Sequence, residues 1–338
     1  MHVVVAADKF RGTATAAEVG AAVFAAVETS GGTCEVVPVA DGGEGFLEAM
    51  GGANRTVVVP GPLGDLVEAA WRLSGGQAVV EMARASGLSL LGNDENDPVA
   101  ATTYGTGELI GAAIDAGAKR VLVGVGGSAT TDGGFGALRA LYPLQRLRGI
   151  DIRVACDVRT RFVDAARLFA PQKGATPTQV ELLRRRLERL AEVYLEDYGV
   201  DVSDLEGSGA AGGLAGGLAA VGATLERGFD LVADEVDLFG HLEGADLVVT
   251  GEGFVDAESF DGKVVGGVLT LAGELGVPSL VVAGEVFDSE RVELLAAGLS
   301  TAPVTVVSLV EQFGEDLARS ATADLVGQVV ADFLAGTV

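Results

Sequence analysis

The run Val121-Leu122-Val123-Gly124-Val125 leads straight into Gly126-Gly127-Ser128-Ala129-Thr130-Thr131-Asp132-Gly133-Gly134. Five apolar residues in a row suit a strand buried on both faces, as in a parallel sheet covered by helices. A glycine-rich turn directly after such a strand lets backbone N–H groups approach an anion. The same grammar recurs along the chain. Residues 3–7 run into Asp8-Lys9-Phe10-Arg11-Gly12-Thr13, and residues 36–40 into Asp41-Gly42-Gly43-Glu44-Gly45. Residues 152–155 run into Cys156-Asp157, and 247–250 into Gly251-Glu252-Gly253-Phe254-Val255-Asp256. Further apolar runs cover 280–283 and 304–308. In open α/β sheets ligands bind beyond the carboxyl ends of strands, so these five ends are the candidate site.

Helical patterns fall between the runs. Thr15-Ala16-Ala17-Glu18 is a capping-box match. Val180, Leu183, Leu187, Leu190 and Tyr194 share one face of a second helix, which stops near Gly199. The pattern predicts an α/β chain with largely parallel sheets. Its 338 residues suffice for two domains. Glycine-rich segments recur, but without the fixed period of a solenoid.

Composition removes other classes. Lys plus Arg is 23 against 48 Asp plus Glu, a formal charge of -25. Such a chain repels nucleic acid and anionic membranes. Residues 207–225 carry no charge, but seven of the nineteen are glycine and three are leucine, too little hydrocarbon for a membrane span. With two cysteines and two histidines, zinc sites of four cysteines or three histidines cannot be built. His2 and His241 read as ordinary histidines, and Cys34 and Cys156 as buried thiols of a reducing compartment. The chain opens on a strand with no basic n-region, so no secretory leader and a cytoplasmic location are expected.

Acidic residues beside glycine-rich turns would repel a phosphate unless a cation lay between, and Mg²⁺ binds carboxylate and phosphate oxygens together. Of only four lysines, three stand in loop motifs: Lys9, Lys173 in Pro171-Gln172-Lys173-Gly174, and Lys263 in Asp261-Gly262-Lys263. A compact ammonium suits point contact with a phosphate. Gly262-Lys263 is followed by Val264, so it lacks the hydroxyl of a P-loop. Gly124-Val125-Gly126-Gly127-Ser128-Ala129 fits a loose dinucleotide pattern, but no strand ending in an acidic residue follows at the ribose-binding distance.

Longer motifs carry a resemblance. They are AADKFRGTATAAEV (6–19), PVADGGEGFLEAM (38–50), VEMARASGLSLL (80–91), TTYGTGELIGAAIDAG (102–117) and GVGGSATTDGGFGAL (124–138). VACDV (154–158), APQKGAT (170–176), GSGAAGGLAGGL (207–218), ADLVVTGEGFVDAES (245–259) and DGK (261–263) continue it. The chain resembles the bacterial type I glycerate kinases nearly end to end. That resemblance implies two α/β domains with an active-site cleft between them. One would be discontinuous, at 1–75 plus 280–338, with the other inserted at 76–279. It also implies ATP- and Mg²⁺-dependent phosphorylation of D-glycerate, usually to 2-phosphoglycerate. The chain departs from the family pattern in the short link from Leu141 to Asp151, in Arg159-Thr160-Arg161-Phe162, and at Asn96-Asp97-Pro98, Glu258 and Val265.

On this reading Gly126, Gly127, Ser128, Lys173, Lys263 and Glu252 form the ATP set. Asp132, Asp157 and Asp256 form the metal set. Lys9 or Arg11 meets the glycerate carboxylate, and Asp41 or Asp8 takes the hydroxyl proton. The Asp41 and Asp132 loops are expected in different domains. The partners are ATP and D-glycerate, with no nucleic acid and no membrane, and a homodimer is left open. The alternatives are a nucleotide-dependent oxidoreductase and a ligand-binding relative without turnover.

Overall fold

The computed structural model describes residues 1–10, 12–92 and 96–336. Among them the strands are β1 (His2–Val5), β2 (Thr33–Val36), β3 (Arg55–Pro60), β4 (Leu66–Ser74), β5 (Gln77–Glu81) and β6 (Arg120–Gly124). They continue as β7 (Asp151–Cys156), β8 (Thr224–Arg227), β9 (Leu247–Val255), β10 (Ser279–Val286) and β11 (Val304–Ser308). The chain divides into two compact units. Met1–Ala40 joins the chain from Phe229 onward, and Asp41–Gly228 stands as the other.

The terminal unit holds one parallel sheet in the order β11-β10-β9-β1-β2. Alternation along β1 builds a layer on each face. Val3 and Val5 join the core made with helices Ala16–Thr29 and Thr322–Leu334. Val4 and Ala6 join Phe229, Leu238 and helix Val264–Leu275. The helix at Ala16 starts on the expected capping box: Thr15 Oγ1 accepts from Glu18 N–H at 3.2 Å, and Glu18 Oε2 accepts from Thr15 N–H at 2.8 Å.

The inserted unit holds a sheet in the order β3-β4-β5-β6-β7-β8. β5 to β8 are parallel, while β3, β4 and β5 pair antiparallel. Helix Pro177–Tyr198 buries Leu183, Leu187, Ala191 and Tyr194 and ends at Gly199 with φ 72°. The uncharged stretch holds the segment Ala210–Ala220, left-handed at Ala211, Gly212 and Gly213 and helical beyond them, which packs Leu214, Ala215 and Leu218 into the core. No helix among the described residues is long and apolar enough to cross a membrane.

Two expectations shift. The boundaries fall at 40/41 and 228/229 rather than 75/76 and 279/280. The reason is strand pairing: β3 and β4 extend the β5 edge, and β9 inserts between β1 and β10. The second strand covers Thr33–Val36, not 36–40, because β1 offers only four residues and its register ends at Val5↔Val36. Cys156 is buried as expected, whereas Cys34 is only half-buried; burial pushes their thiols up to about 12 and about 11.

Gly212 has φ +66°, and a Cβ there would lie 2.0 Å from the Thr130 carbonyl oxygen. Left-handed strain and backbone overpacking act together, so Gly212→Ala should cost about 2–5 kcal/mol. A urea midpoint equal to that of the parent would show that the backbone relaxes instead.

Candidate functional site

In the inserted unit, Glu81, Gly124 and Ala155 sit side by side in the register of β5, β6 and β7. The chain leaves this row as the motif-bearing loops. The Gly126 N–H donates to the Gly42 carbonyl at 3.3 Å, and a Cβ at Gly126 would lie 2.4 Å from Gly43 Cα. Glycine at 126 therefore allows two backbones to touch. That packing, rather than a dinucleotide pyrophosphate, accounts for the spacing at 124–129. It also corrects the assignment of the Asp41 and Asp132 loops to different domains, since both belong to this unit.

Asp41 folds its own turn, with Oδ1 accepting from Gly43 N–H at 3.0 Å. Glu81 anchors the segment that follows. It is 3% exposed, and its Oε1 accepts from Leu47 N–H at 2.8 Å while Oε2 accepts from Arg84 Nε at 2.9 Å. Arg84 also pairs with Glu48 at 2.8 Å. Buried carboxylates persist when charge-paired and hydrogen-bonded in this way. In the sequence this stretch stands out only as part of the motif VEMARASGLSLL. The available signal was a carboxylate closing the apolar run Ala78-Val79-Val80.

Lys173 lies beneath the loop after β6. Its side chain is almost wholly enclosed, and Nζ donates to Ser128 Oγ at 2.7 Å and to the Thr130 carbonyl at 2.6 Å. Burial lowers its pKa to about 7, opposed by the nearby charge of Asp132. The Thr130 and Thr131 hydroxyls are buried in the same loop and make no hydrogen bond among the described residues. Buried hydroxyls are normally paired, so this loop keeps unused polar capacity beside a lysine.

Asp132 has another task. Its carboxylate accepts from Thr103 N–H at 2.8 Å, Thr103 Oγ1 at 2.9 Å and Thr102 Oγ1 at 3.2 Å. Gly134 N–H at 3.1 Å and Gly136 N–H at 3.2 Å complete the set. The residue ties the turn before helix Tyr104–Asp115 to the start of helix Phe135–Ala140.

These features sit within a chain whose relatives are known. A family model described as the glycerate kinase family matches residues 3–142 and 143–332. The glycerate 2-kinase of Escherichia coli (strain K12) is 39% identical over 328 residues, spanning 85% of this chain and 86% of that protein. The glycerate kinase of Bacillus subtilis (strain 168) is 37% identical over 326 residues, 85% of each. The chain belongs to the glycerate kinase family. The crystal structure assigned as a glycerate kinase 2 from Salmonella typhimurium LT2 has a TM-score of 0.81 and 36% identity, covering 99% of each chain. As a member of the glycerate kinase family the chain is an enzyme, a kinase of the transferase class.

The remaining expected residues lie on the terminal unit or at the edge of the inserted one. Asp8 N–H donates to the Gly251 carbonyl at 2.9 Å, which sets Asp8, just past β1, beside the middle of β9, which runs on through Gly251-Glu252 to Val255 rather than ending at Thr250. Asp256 Oδ1 accepts from Glu258 N–H at 2.8 Å and Ser259 N–H at 3.2 Å, capping the turn Ala257–Phe260. Lys263 is the residue before helix Val264–Leu275. Arg11 lies outside the described residues. Asp157 is exposed just past β7.

Of the expected metal set, Asp132 and Asp157 belong to the inserted unit and Asp256 to the terminal one. Among the described residues no three His, Cys, Asp or Glu side chains group to hold a metal ion. Asp132 is occupied by N–H and O–H donors, and Asp256 stands in the other unit. Asp132, with its carboxylate already held by five donors, does not by itself fit the part of a resident magnesium ligand.

Asp132→Asn keeps the shape but turns one acceptor oxygen into a donor facing donors. It should lower stability by about 1–3 kcal/mol in urea denaturation, with the Mg²⁺ concentration for half-maximal rate little changed. A raised Mg²⁺ requirement at unaltered stability would restore Asp132 as a ligand.

Proposed function

We propose that this member of the glycerate kinase family transfers the γ-phosphoryl group of Mg·ATP to the 2-hydroxyl of D-glycerate, giving 2-phosphoglycerate. Mg²⁺ enters as part of the nucleotide substrate, which suits an ion that usually keeps few protein ligands and binds phosphate oxygens. The attacking hydroxyl oxygen forms a bond to phosphorus, the bond from phosphorus to the leaving oxygen of ADP breaks, and the hydroxyl proton passes to a carboxylate. The protein's part is positioning and charge compensation.

One observation carries the nucleotide half of this reading: the Lys173 ammonium, enclosed beneath Ser128 and Thr130 in a glycine-rich loop at the end of a parallel strand. In a chain of charge -25, a buried cation behind such a loop is a rare place for a polyphosphate to settle. Gly126, Gly127 and Ser128 would present backbone there, with Asp157, just past the end of β7, as the carboxylate that would meet the ion. Lys9 and Arg11 would meet the glycerate carboxylate, Asp41 or Asp8 would take the proton, and Glu252 and Lys263 would complete the nucleotide contacts.

An ATP-consumption assay with D-glycerate, followed by phosphorus NMR of the product, tests the reaction. Turnover should vanish with EDTA and return with Mg²⁺, and the phosphate should appear on the 2-oxygen. Full turnover in metal-free buffer, or a 3-phosphate product, would contradict the assignment.

Lys173→Met should lower kcat by about 10²-fold, as loss of a placed cation does. The lysine is depressed to about 7, so its charged form is present below that pH and lost above it. The parent kcat/KM for ATP should therefore fall as pH rises through about 7, and the variant should lack that limb. An unchanged kcat would leave Lys173 with a purely structural task.

A further inference from the structure

A cavity of about 340 Å³ lies in the inserted unit. Four aromatic side chains help to wall it: Phe135, Tyr142, Tyr194 and Tyr198. Three of them face solvent, at 50% exposure for Phe135, 76% for Tyr142 and 40% for Tyr198. These three rings stand at the rim of the hollow, where an incoming ring can stack on them. The volume is within the range of small-molecule sites.

The polar groups of the rim narrow the chemistry. The Arg139 guanidinium lies 5.9 Å from the Phe135 ring centroid, within cation–π distance, and makes no ion pair among the described residues. In a chain with 48 acidic residues, an arginine without a carboxylate partner on an aromatic wall is matched to an incoming anion. Asp197 also lines the cavity, and its carboxylate can accept an N–H or O–H from the same molecule.

Two residues of the cavity wall reach the loop after β6. Tyr194, 2% exposed, donates its hydroxyl to the Gly133 carbonyl at 2.9 Å, and Phe135 directly follows Gly134. Two wall residues thus hold the far end of the glycine-rich loop. The family model matches the chain in two segments that meet at 142/143, beside the Tyr142 rim.

We propose that this cavity binds a small planar aromatic acid. Its ring stacks on the Tyr142 and Tyr198 side chains, its carboxylate pairs with Arg139, and a ring N–H or O–H meets Asp197. Occupancy steadies residues 126–134 through Tyr194 and Phe135. The proposal does not depend on which substrate the loop serves.

Calorimetry with indole-3-acetate as the probe tests the site, with tryptamine as the probe of opposite charge. Indole-3-acetate should bind saturably and more tightly than tryptamine. Arg139→Gln and Tyr142→Ala, both at exposed positions, should each weaken it about tenfold. Hydrogen exchange should then slow at the amides of 126–134 in the parent but not in Arg139→Gln at the same probe concentration. No saturable binding, tighter binding of tryptamine, or equal affinity in the parent and both variants would overturn the site. Unaltered exchange in the loop would overturn its link to 126–134. A parent that sediments as a dimer, and as a monomer after Tyr142→Ala, would give the surface to a second copy instead.

Discussion

The site of the inserted unit depends on one buried ammonium. Removing a lysine from water is unfavourable, and the lowered pKa of Lys173 records that cost. The ammonium can be kept only if acceptors surround it, and the structure supplies Ser128 Oγ and the Thr130 carbonyl. Those two acceptors belong to the loop after β6, so the chemistry that tolerates the lysine also fixes the path of the loop. Asp132, four residues beyond Ser128, contributes charge from the far end. Its own carboxylate is held by the Thr102-Thr103 turn, so the electrostatic support reaches back to a second helix.

Close backbone contact follows from the same constraint. The loop has its lysine below and the 41–43 turn against Gly126. On another side the Gly133 N–H donates to the Gly212 carbonyl at 3.0 Å. Side chains at these contacts would push three segments apart. The glycines that invite an anion-binding reading are therefore partly explained by packing. The ligand argument rests more firmly on the lysine and on the unmet hydroxyls of Thr130 and Thr131.

This division explains what could be read from the sequence. The parallel strands β1, β6, β7, β9, β10 and β11 were legible because burial on both faces makes them apolar at nearly every position. β3, at the sheet's edge, leaves Arg55, Thr56 and Val58 exposed, so it carries no such run, and the β3–β4 hairpin escaped the strand pattern. The capping box at Thr15 and the helix ending at Gly199 were legible because their signals are local. The domain boundary was not, because it depends on which distant strands pair. Lys173 was singled out through lysine's rarity in this chain, yet its burial required the fold. Asp132 was read as a metal ligand because sequence shows a carboxylate beside glycines but not the threonine donors thirty residues upstream.

That last difference bears on how magnesium can take part. A carboxylate that already accepts N–H and O–H hydrogen bonds has spent much of the electron density that a hard cation would need. Asp41 turns back onto Gly43 N–H, Asp132 accepts from Thr102, Thr103, Gly134 and Gly136, and Asp256 caps Glu258 and Ser259. Three acidic residues that look alike in sequence are thus shaping backbone. Asp157 lies exposed past the end of β7 in the inserted unit. One exposed carboxylate cannot hold Mg²⁺ against its hydration shell, but it can complete a coordination shell begun by phosphate oxygens. On the proposed function, the ion would then arrive already bound to its nucleotide, and the loop after β6 would meet the phosphates.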